Sequence, residues 1–210
     1  MRGGEAALYV DSLDKLRAIA RGAAYEELVL PSIWETKTFV EKAGSEIVDQ
    51  MYVFKDKGDR DCCLIPEVTG IVQDLWRAGW VKSEKKPMRV FYVARCYRYE
   101  RPQAGRYREF TQFGVELLGG SGPSDRDEVV DLLERSLRSL DVAYVLDAQV
   151  KRGLSYYTED GFEARCEQLG AQKQVAGGGR YAEGIGWAIG VDRILLARQG
   201  TPVSATEHSP

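Results

Sequence analysis

Five arginines fall within the 14 residues from Arg95 to Arg108, and the segment that follows, Phe110 to Leu118, carries Phe110, Gln112, Gly114 and Glu116 at alternate positions. Successive side chains of a strand point to opposite faces, so these four share one side while Thr111, Phe113, Val115 and Leu117 form a mostly apolar side. A cluster of planar, permanently charged guanidinium groups facing an aromatic ring, an amide and a carboxylate points to a nucleotide site. The same residues in an ordinary surface hairpin would be no more than solvated charges.

What the chain lacks narrows the chemistry. Its single histidine, His208, falls in the polar stretch Gly200 to Pro210, which reads as a disordered tail. Histidine-dependent triads and zinc sites of the HExxH kind are excluded, which leaves charge placement, carboxylates or a bound metal whose ligands the sequence does not name. A net charge of −3 argues against a protein that grips a nucleic-acid backbone over a broad surface, so any such contact should be local. The four cysteines, at 62, 63, 96 and 166, have no CxxC spacing and fit a reducing cytoplasm. No apolar run approaches the roughly 18 residues of a membrane span, and the N-terminus has no signal-peptide pattern. The expectation is a soluble, cytoplasmic protein with no membrane partner.

The arginines and the strand after them must be held by the rest of the chain. Arg89 to Arg98, rich in Val, Phe and Tyr, reads as a strand paired with Phe110 to Leu118 in a long-looped antiparallel hairpin. Ser12 to Arg21 is expected to be a helix with Leu13, Leu16, Ile19 and Ala20 on one stripe and Asp11 or Ser12 as cap. Glu27 to Leu30 reads as a short strand ending at Pro31, and Thr36 to Ala43 as a brief helix stopped by Gly44. Met51 to Phe54 and Cys62 to Ile65 form a second hairpin, followed by an amphipathic helix over Thr69 to Trp80. Asp127 to Leu140 is a further helix, with Gly122 to Asp125 as its start signal. Val142 to Val150 and Phe162 to Cys166 read as strands. Gly177, Gly178 and Gly179 interrupt the pattern, either as a flexible turn or as a close backbone approach to a ligand. The last helix is expected over Val191 to Arg198. Antiparallel strands with helices outside them, and neither a GxGxxG nor a GxxxxGK loop, give an α+β fold in one domain over residues 1–199, with 200–210 as the tail.

These residues occur in a familiar order. Arg98 to Glu116, RYERPQAGRYREFTQFGVE, resembles the second signature motif of class II aminoacyl-tRNA synthetases, and most closely that of histidyl-tRNA synthetase. Leu28 to Pro31 resembles the first motif, which ends in a proline at the dimer interface, and Ile65 to Thr69, IPEVT, the family's amino-acid loop. Arg152 to Thr158, RGLSYYT, and Ala176 to Tyr181, AGGGRY, resemble the two signatures peculiar to histidyl-tRNA synthetases; Gly186 to Leu195, GWAIGVDRIL, resembles the third class II motif. The resemblance implies a class II synthetase-like antiparallel sheet flanked by helices. It also implies two departures. Only 34 residues separate Glu116 from Lys151 and 17 follow Arg193, so the expectation is a core without the family's insertion domain and anticodon-binding domain. The aspartate usual in the RGL signature is Ser155 here, and a segment after Tyr181 is shortened.

The resemblance assigns roles to the matched residues. Activation joins an amino-acid carboxylate to the α-phosphate of ATP, so fixed positive charge must stabilise the developing pentavalent phosphate. Arg98 would hold the α-phosphate and the substrate carboxylate, Arg106 the terminal phosphates, Arg193 the triphosphate from the other side, and Arg152 the α-phosphate. Adenine would stack on Phe110, and Glu100 would receive its amine or set the loop. Magnesium is expected as counter-ion to the pyrophosphate. Glu67, Thr69 and Gln112 would take the α-ammonium, and Glu116, Tyr157 and Tyr181 the side chain, since a carboxylate and a phenol together can hold both nitrogens of an imidazole. Histidine is the expected amino acid. Strict alternation sends Arg152 and Tyr157 to opposite faces, so a bend at Gly153 is required for both to enter one site. The acceptor could be a tRNA end, reached through Arg101 and Gln103, or another acyl acceptor. A homodimer is expected through the segment around Pro31. The competing reading is a non-catalytic, histidine-sensing regulatory subunit of the ATP phosphoribosyltransferase type, a class that tends to lose the arginines this chain retains.

Overall fold

Two ten-residue strands, β5 (Met88–Tyr97) and β6 (Glu109–Leu118), pair antiparallel from Met88↔Leu118 to Tyr97↔Glu109 and form the spine of the molecule. The computed structural model describes residues 1–42, 45–79, 87–101, 105–120, 122–150, 157–169 and 173–200. Around that spine a seven-stranded sheet is built in the order β1-β5-β6-β10-β9-β8-β7. Here β1 is Glu26–Leu28, β7 Val145–Asp147, β8 Glu159–Arg165, β9 Gln174–Tyr181 and β10 Gly184–Gly190. All neighbours are antiparallel except β1, which runs parallel to β5 at the sheet edge. A smaller sheet, β2-β4-β3, is made of Ile33–Glu35, Asp61–Leu64 and Tyr52–Lys55. The α+β expectation holds, with a class II synthetase-like sheet flanked by helices.

Each face of the large sheet has its own apolar cluster, and the alternation of β6 divides them. Phe113, Val115 and Leu117 point into the larger core with Phe91, Phe162 and Trp187, beneath α1 (Gly4–Gly22), α5 (Pro123–Ser139) and α6 (Val191–Gly200). The Phe113 ring lies 5.6 Å from Phe91 and 6.0 Å from Trp187, contacts worth about 0.5–1.5 kcal/mol each beyond the area they bury. The buried indole of Trp187 donates to the Val129 carbonyl at 2.7 Å, so its polar atom carries no desolvation penalty. The opposite face packs Val90, Tyr92, Ala94 and Cys96 against α4 (Thr69–Arg77), with Ile71 and Val72 inward, and against Phe39 of α2 (Thr36–Lys42). A short α3 (Ser45–Val48) completes this layer.

The structure departs from the sequence reading in several places. The first helix begins at Gly4, two turns before Ser12, and Ser12 is no cap: its hydroxyl donates back to the Leu8 carbonyl inside the helix. The fifth helix starts at Pro123, where the Asp125 carboxylate accepts the Gly122 N–H at 2.8 Å and closes the first turn. Ile33–Glu35 and Gly184–Gly190 are strands that the sequence reading left unassigned. The strand expected over Val142 to Val150 is confined to Val145–Asp147. Gly177, Gly178 and Gly179 form no turn; they lie inside β9, paired with Ala188, Trp187 and Gly186 of β10. All four cysteines are free and buried, and among the described residues no helix is long and apolar enough to cross a membrane. The expected tail over 200–210 lies almost wholly outside the described residues, of which Gly200, closing α6, is the last.

Candidate active site

The cleft face of β6 carries Phe110, Gln112, Gly114 and Glu116, and the elements on either side bring the remaining groups to it. The loop before α4 is laced to the end of β5: Tyr97 N–H donates to the Ile65 carbonyl at 2.8 Å, and Arg98 Nε to the Pro66 carbonyl at 2.9 Å. Glu67 follows, buried, with its carboxylate accepting the Gly70 N–H at 2.9 Å in the first turn of α4, where the helix dipole favours negative charge.

Glu116 sits at the floor with no solvent exposure. Thr69 of α4 donates to one of its oxygens and Tyr181 of β9 to the other, both at 2.7 Å. Burial pushes its carboxyl up to about 8; the bonds from Thr69 and Tyr181 act against that rise, the Glu67 charge adds to it, and the neighbouring Tyr92 hydroxyl opposes it. The carboxylate can lie flat only because Gly186 is opposite it in β10. A Cβ there would come 1.8 Å from Glu116 Oε2. Tyr157 packs edge-on against Tyr181, ring centroids 6.5 Å apart, and Gln112 accepts a weak bond from Cys96 Sγ at 3.4 Å. Glu67, Thr69, Glu116, Tyr157 and Tyr181 therefore surround one small acidic cup, with Gln112 farther along the same face.

At the other end of the cleft, two of the five clustered arginines meet a third from α6. Arg98 lies over the Phe110 ring, 5.2 Å from its centroid. Arg193 donates from Nε to the Gly105 carbonyl and from Nη1 to the Gln174 carbonyl, each at 2.9 Å. Burial lowers the Arg193 pKa, and the positive charges of Arg106 and Arg98 lower it further, with Glu100 opposing them. Arg106 pairs with Glu100 at 3.3 Å without hydrogen-bond alignment. Asp192 fixes the start of α6 by accepting the Thr111 N–H at 2.7 Å, which ties the turn carrying Arg193 to β6. The remaining arginines go elsewhere. Arg95 stacks on Tyr9 on the helix-covered face, Arg101 is exposed, and Arg108 stacks on the exposed Tyr99 ring. Arg152, Gly153, Ser155 and Gln103 lie outside the described residues, so the expected bend at Gly153 does too.

Sequence reasoning overlooked Tyr92. It is fully buried above Gly114, where a Cβ would come 2.3 Å from its hydroxyl, and that hydroxyl lies close enough to Glu116 to hold its pKa down. The available signal was its place in β5, on the same face as Glu116 and opposite a glycine.

A family model described as histidyl-tRNA synthetase matches residues 3–147. The chain belongs to the histidyl-tRNA synthetase family. The histidine–tRNA ligase of Archaeoglobus fulgidus is 30% identical over 288 residues, covering 87% of this chain and 70% of the relative; that of Methanosarcina acetivorans is 31% identical over 294 residues, covering 89% and 70%. Both alignments are longer than the 210 residues of this chain, so each relative carries residues within the matched region that have no counterpart here. Among solved structures, apo histidyl-tRNA synthetase of Staphylococcus aureus superposes with a TM-score of 0.76 at 26% identity, over 97% of this chain and 69% of that one. An ATP phosphoribosyltransferase regulatory subunit/histidyl-tRNA synthetase from Bacillus halodurans gives 0.78 at 15% identity, over 91% and 79%, a likeness of fold alone.

Proposed function

We propose that this member of the histidyl-tRNA synthetase family activates an amino acid, histidine foremost, with ATP to form an aminoacyl-adenylate, and passes the acyl group to a tRNA end or another acceptor. The observation that carries the reading is the gathering of Arg98, Arg106 and Arg193 about one place, with Glu100 as a misaligned counter-charge. Mutually repelling guanidinium groups are stable together when an anion joins them, and a triphosphate is the anion of matching size. Arg98 would stabilise the reacting α-phosphate and the substrate carboxylate; Arg106 and Arg193 would hold the rest of the triphosphate, with adenine on Phe110. Arg152 would add to the α-phosphate contacts, and Glu100 would set the loop by its bond to Arg106. Glu67, Thr69 and Gln112 would take the α-ammonium, and Glu116, Tyr157 and Tyr181 the side chain.

Among the described residues no three metal-ligating side chains cluster, yet Glu100 and Glu163 both act on Arg193. One or two carboxylates fit Mg2+ delivered on phosphate oxygens, which keeps most of its coordination from phosphate and water. The ion would neutralise charge on the departing pyrophosphate. A homodimer is proposed through the β1 edge and the exposed Val29 beside Pro31. The regulatory reading would use the same acidic cup and needs no cation cluster. Pyrophosphate exchange measured with each of the twenty amino acids separates the two: exchange with histidine supports activation, and histidine binding without exchange supports the regulatory subunit.

A further inference from the structure

One wall of the acidic cup, α4, lies in a different layer from the floor. The helix meets the sheet along the row Thr69, Gln73 and Arg77, spaced four residues apart on one face. The outer two are bonded: Thr69 donates to Glu116 on β6, and Arg77 Nε donates to Glu183 in the turn between β9 and β10. Between them Gln73 is buried, and its amide nitrogen finds no partner among the described residues. The row is therefore tied to the sheet at its two ends, about 12 Å apart at roughly 1.5 Å of rise per residue. The apolar contacts of Ile71 and Val72 are non-directional and do not by themselves fix the tilt of the helix. Thr38 also holds α4, through Asp74, but Thr38 belongs to α2 in the same layer.

Glu183 is well placed as the anchor. Tyr181 and Gly184 are paired, so the turn is only Ala182 and Glu183. The Glu183 carbonyl accepts the Gly119 N–H at 2.8 Å, just beyond the strand that carries Glu116. Its side chain is 7% exposed and that of Arg77 53%. The second Glu183 oxygen is buried with no hydrogen-bond partner among the described residues, so the carboxylate depends on this guanidinium for its counter-charge.

We propose that Arg77 and Glu183 are positioning residues for the amino-acid cup. Their ion pair latches the C-terminal end of α4 to the β9–β10 turn and so holds Glu67 and Thr69, at the other end of the helix, where they meet the ligand. Both act through the helix rather than by contact with the ligand. The inference rests on the functional reading above and deepens it.

Calorimetric titration of the full chain with L-histidine and with ATP, beside thermal melts and hydrogen exchange of the α4 amides, tests it in wild type, Arg77→Lys, Arg77→Met and Arg77→Met/Glu183→Gln. Arg77→Met should lose about three- to tenfold in histidine affinity, keep its affinity for ATP and exchange faster in α4. Its melting temperature should fall, because Glu183 is left buried without a counter-charge. The double variant removes that charge and should regain the melting temperature but not the histidine affinity. Arg77→Lys, which keeps the charge, should retain most of the affinity. Histidine affinity that returns with stability in the double variant overturns the proposal, since the pair would then be merely structural; an equal loss for ATP, or unchanged exchange in α4, overturns it too. Wild type that binds no histidine defeats the amino-acid assignment and this inference with it; wild type that binds histidine, with every variant alike, defeats this inference alone.

Discussion

The two ends of the cleft are built on opposite plans. At the acidic end, Glu116 is sealed from water and both of its oxygens are already bonded, by Thr69 and Tyr181. At the cation end, Arg98 and Arg193 rest on the backbone carbonyls of Pro66, Gly105 and Gln174, and Arg106 meets Glu100 out of alignment. A buried carboxyl needs its partners in place, because an unpartnered polar group in a dry pocket is costly, and burial already holds much of its charge off near neutral pH. Half-exposed guanidinium groups can wait on neutral carbonyls and exchange them for phosphate oxygens. One end is therefore partnered within the protein, and the other keeps positive charge that the proposed triphosphate would balance.

That contrast sets an order of expected effects. Arg98→Ala should lower pyrophosphate exchange by about 10²- to 10³-fold, as for loss of one donor to developing charge, while the melting temperature changes little. Unchanged exchange would remove Arg98 from the chemistry. Glu116→Gln should raise the KM for histidine by about 10- to 100-fold and leave that for ATP near normal; equal losses for both substrates would show that the two ends are not separable.

The pH response should come from the sealed end. Glu116 ionises near 4.5 in the unfolded chain and at about 8 in the fold. The folded state therefore holds this proton more tightly between those values. The stability that the group contributes is full below 4.5 and is lost as pH rises through about 8. Thermal melts of wild type should fall across this window, and Glu116→Gln should flatten the decline; a variant with the same slope would locate the titration elsewhere. The smallest effect is expected from Arg106→Ala, about three- to tenfold in the KM for ATP, because its charge is partly met by Glu100 and partly screened by water. A loss as large as that of Arg98→Ala would make the two arginines equivalent and erase the gradient along the cluster.

The sequence displayed the site face of β6 because its period-two pattern carries both a core and a cleft, and burial follows that pattern residue by residue. Helices with a clear stripe, such as α4 and α5, were equally visible. The glycine-rich strands were not. In β9 and β10 the cleft side is mostly Gly177, Gly179, Gly186 and Ala188, with Tyr181 its one large side chain, so it gives no hydrophobic period, and the signal of those strands lies in their pairing with β6 and with each other. The start of α1 was hidden for a similar reason, since its first residues, Gly4 to Ala7, carry no apolar stripe, and Tyr9 is held from the sheet side by its bond to Thr111. Of the five clustered arginines, alternation alone could not say which turn toward the cleft. Position along the hairpin decides it: Arg95 is on the helix-covered face, Arg98 is tied to Pro66, and Arg106 is drawn to Glu100.

The bare patches of sheet beneath Tyr92 and Glu116 have an evolutionary corollary. One methyl group on Gly114 would collide with Tyr92, and one on Gly186 with Glu116. On the proposed reading, diversification toward other amino acids cannot proceed by growing new groups from below. It has to come through α4, β9 or the roof, so the repertoire of side chains this scaffold can learn to accept is dictated by its walls.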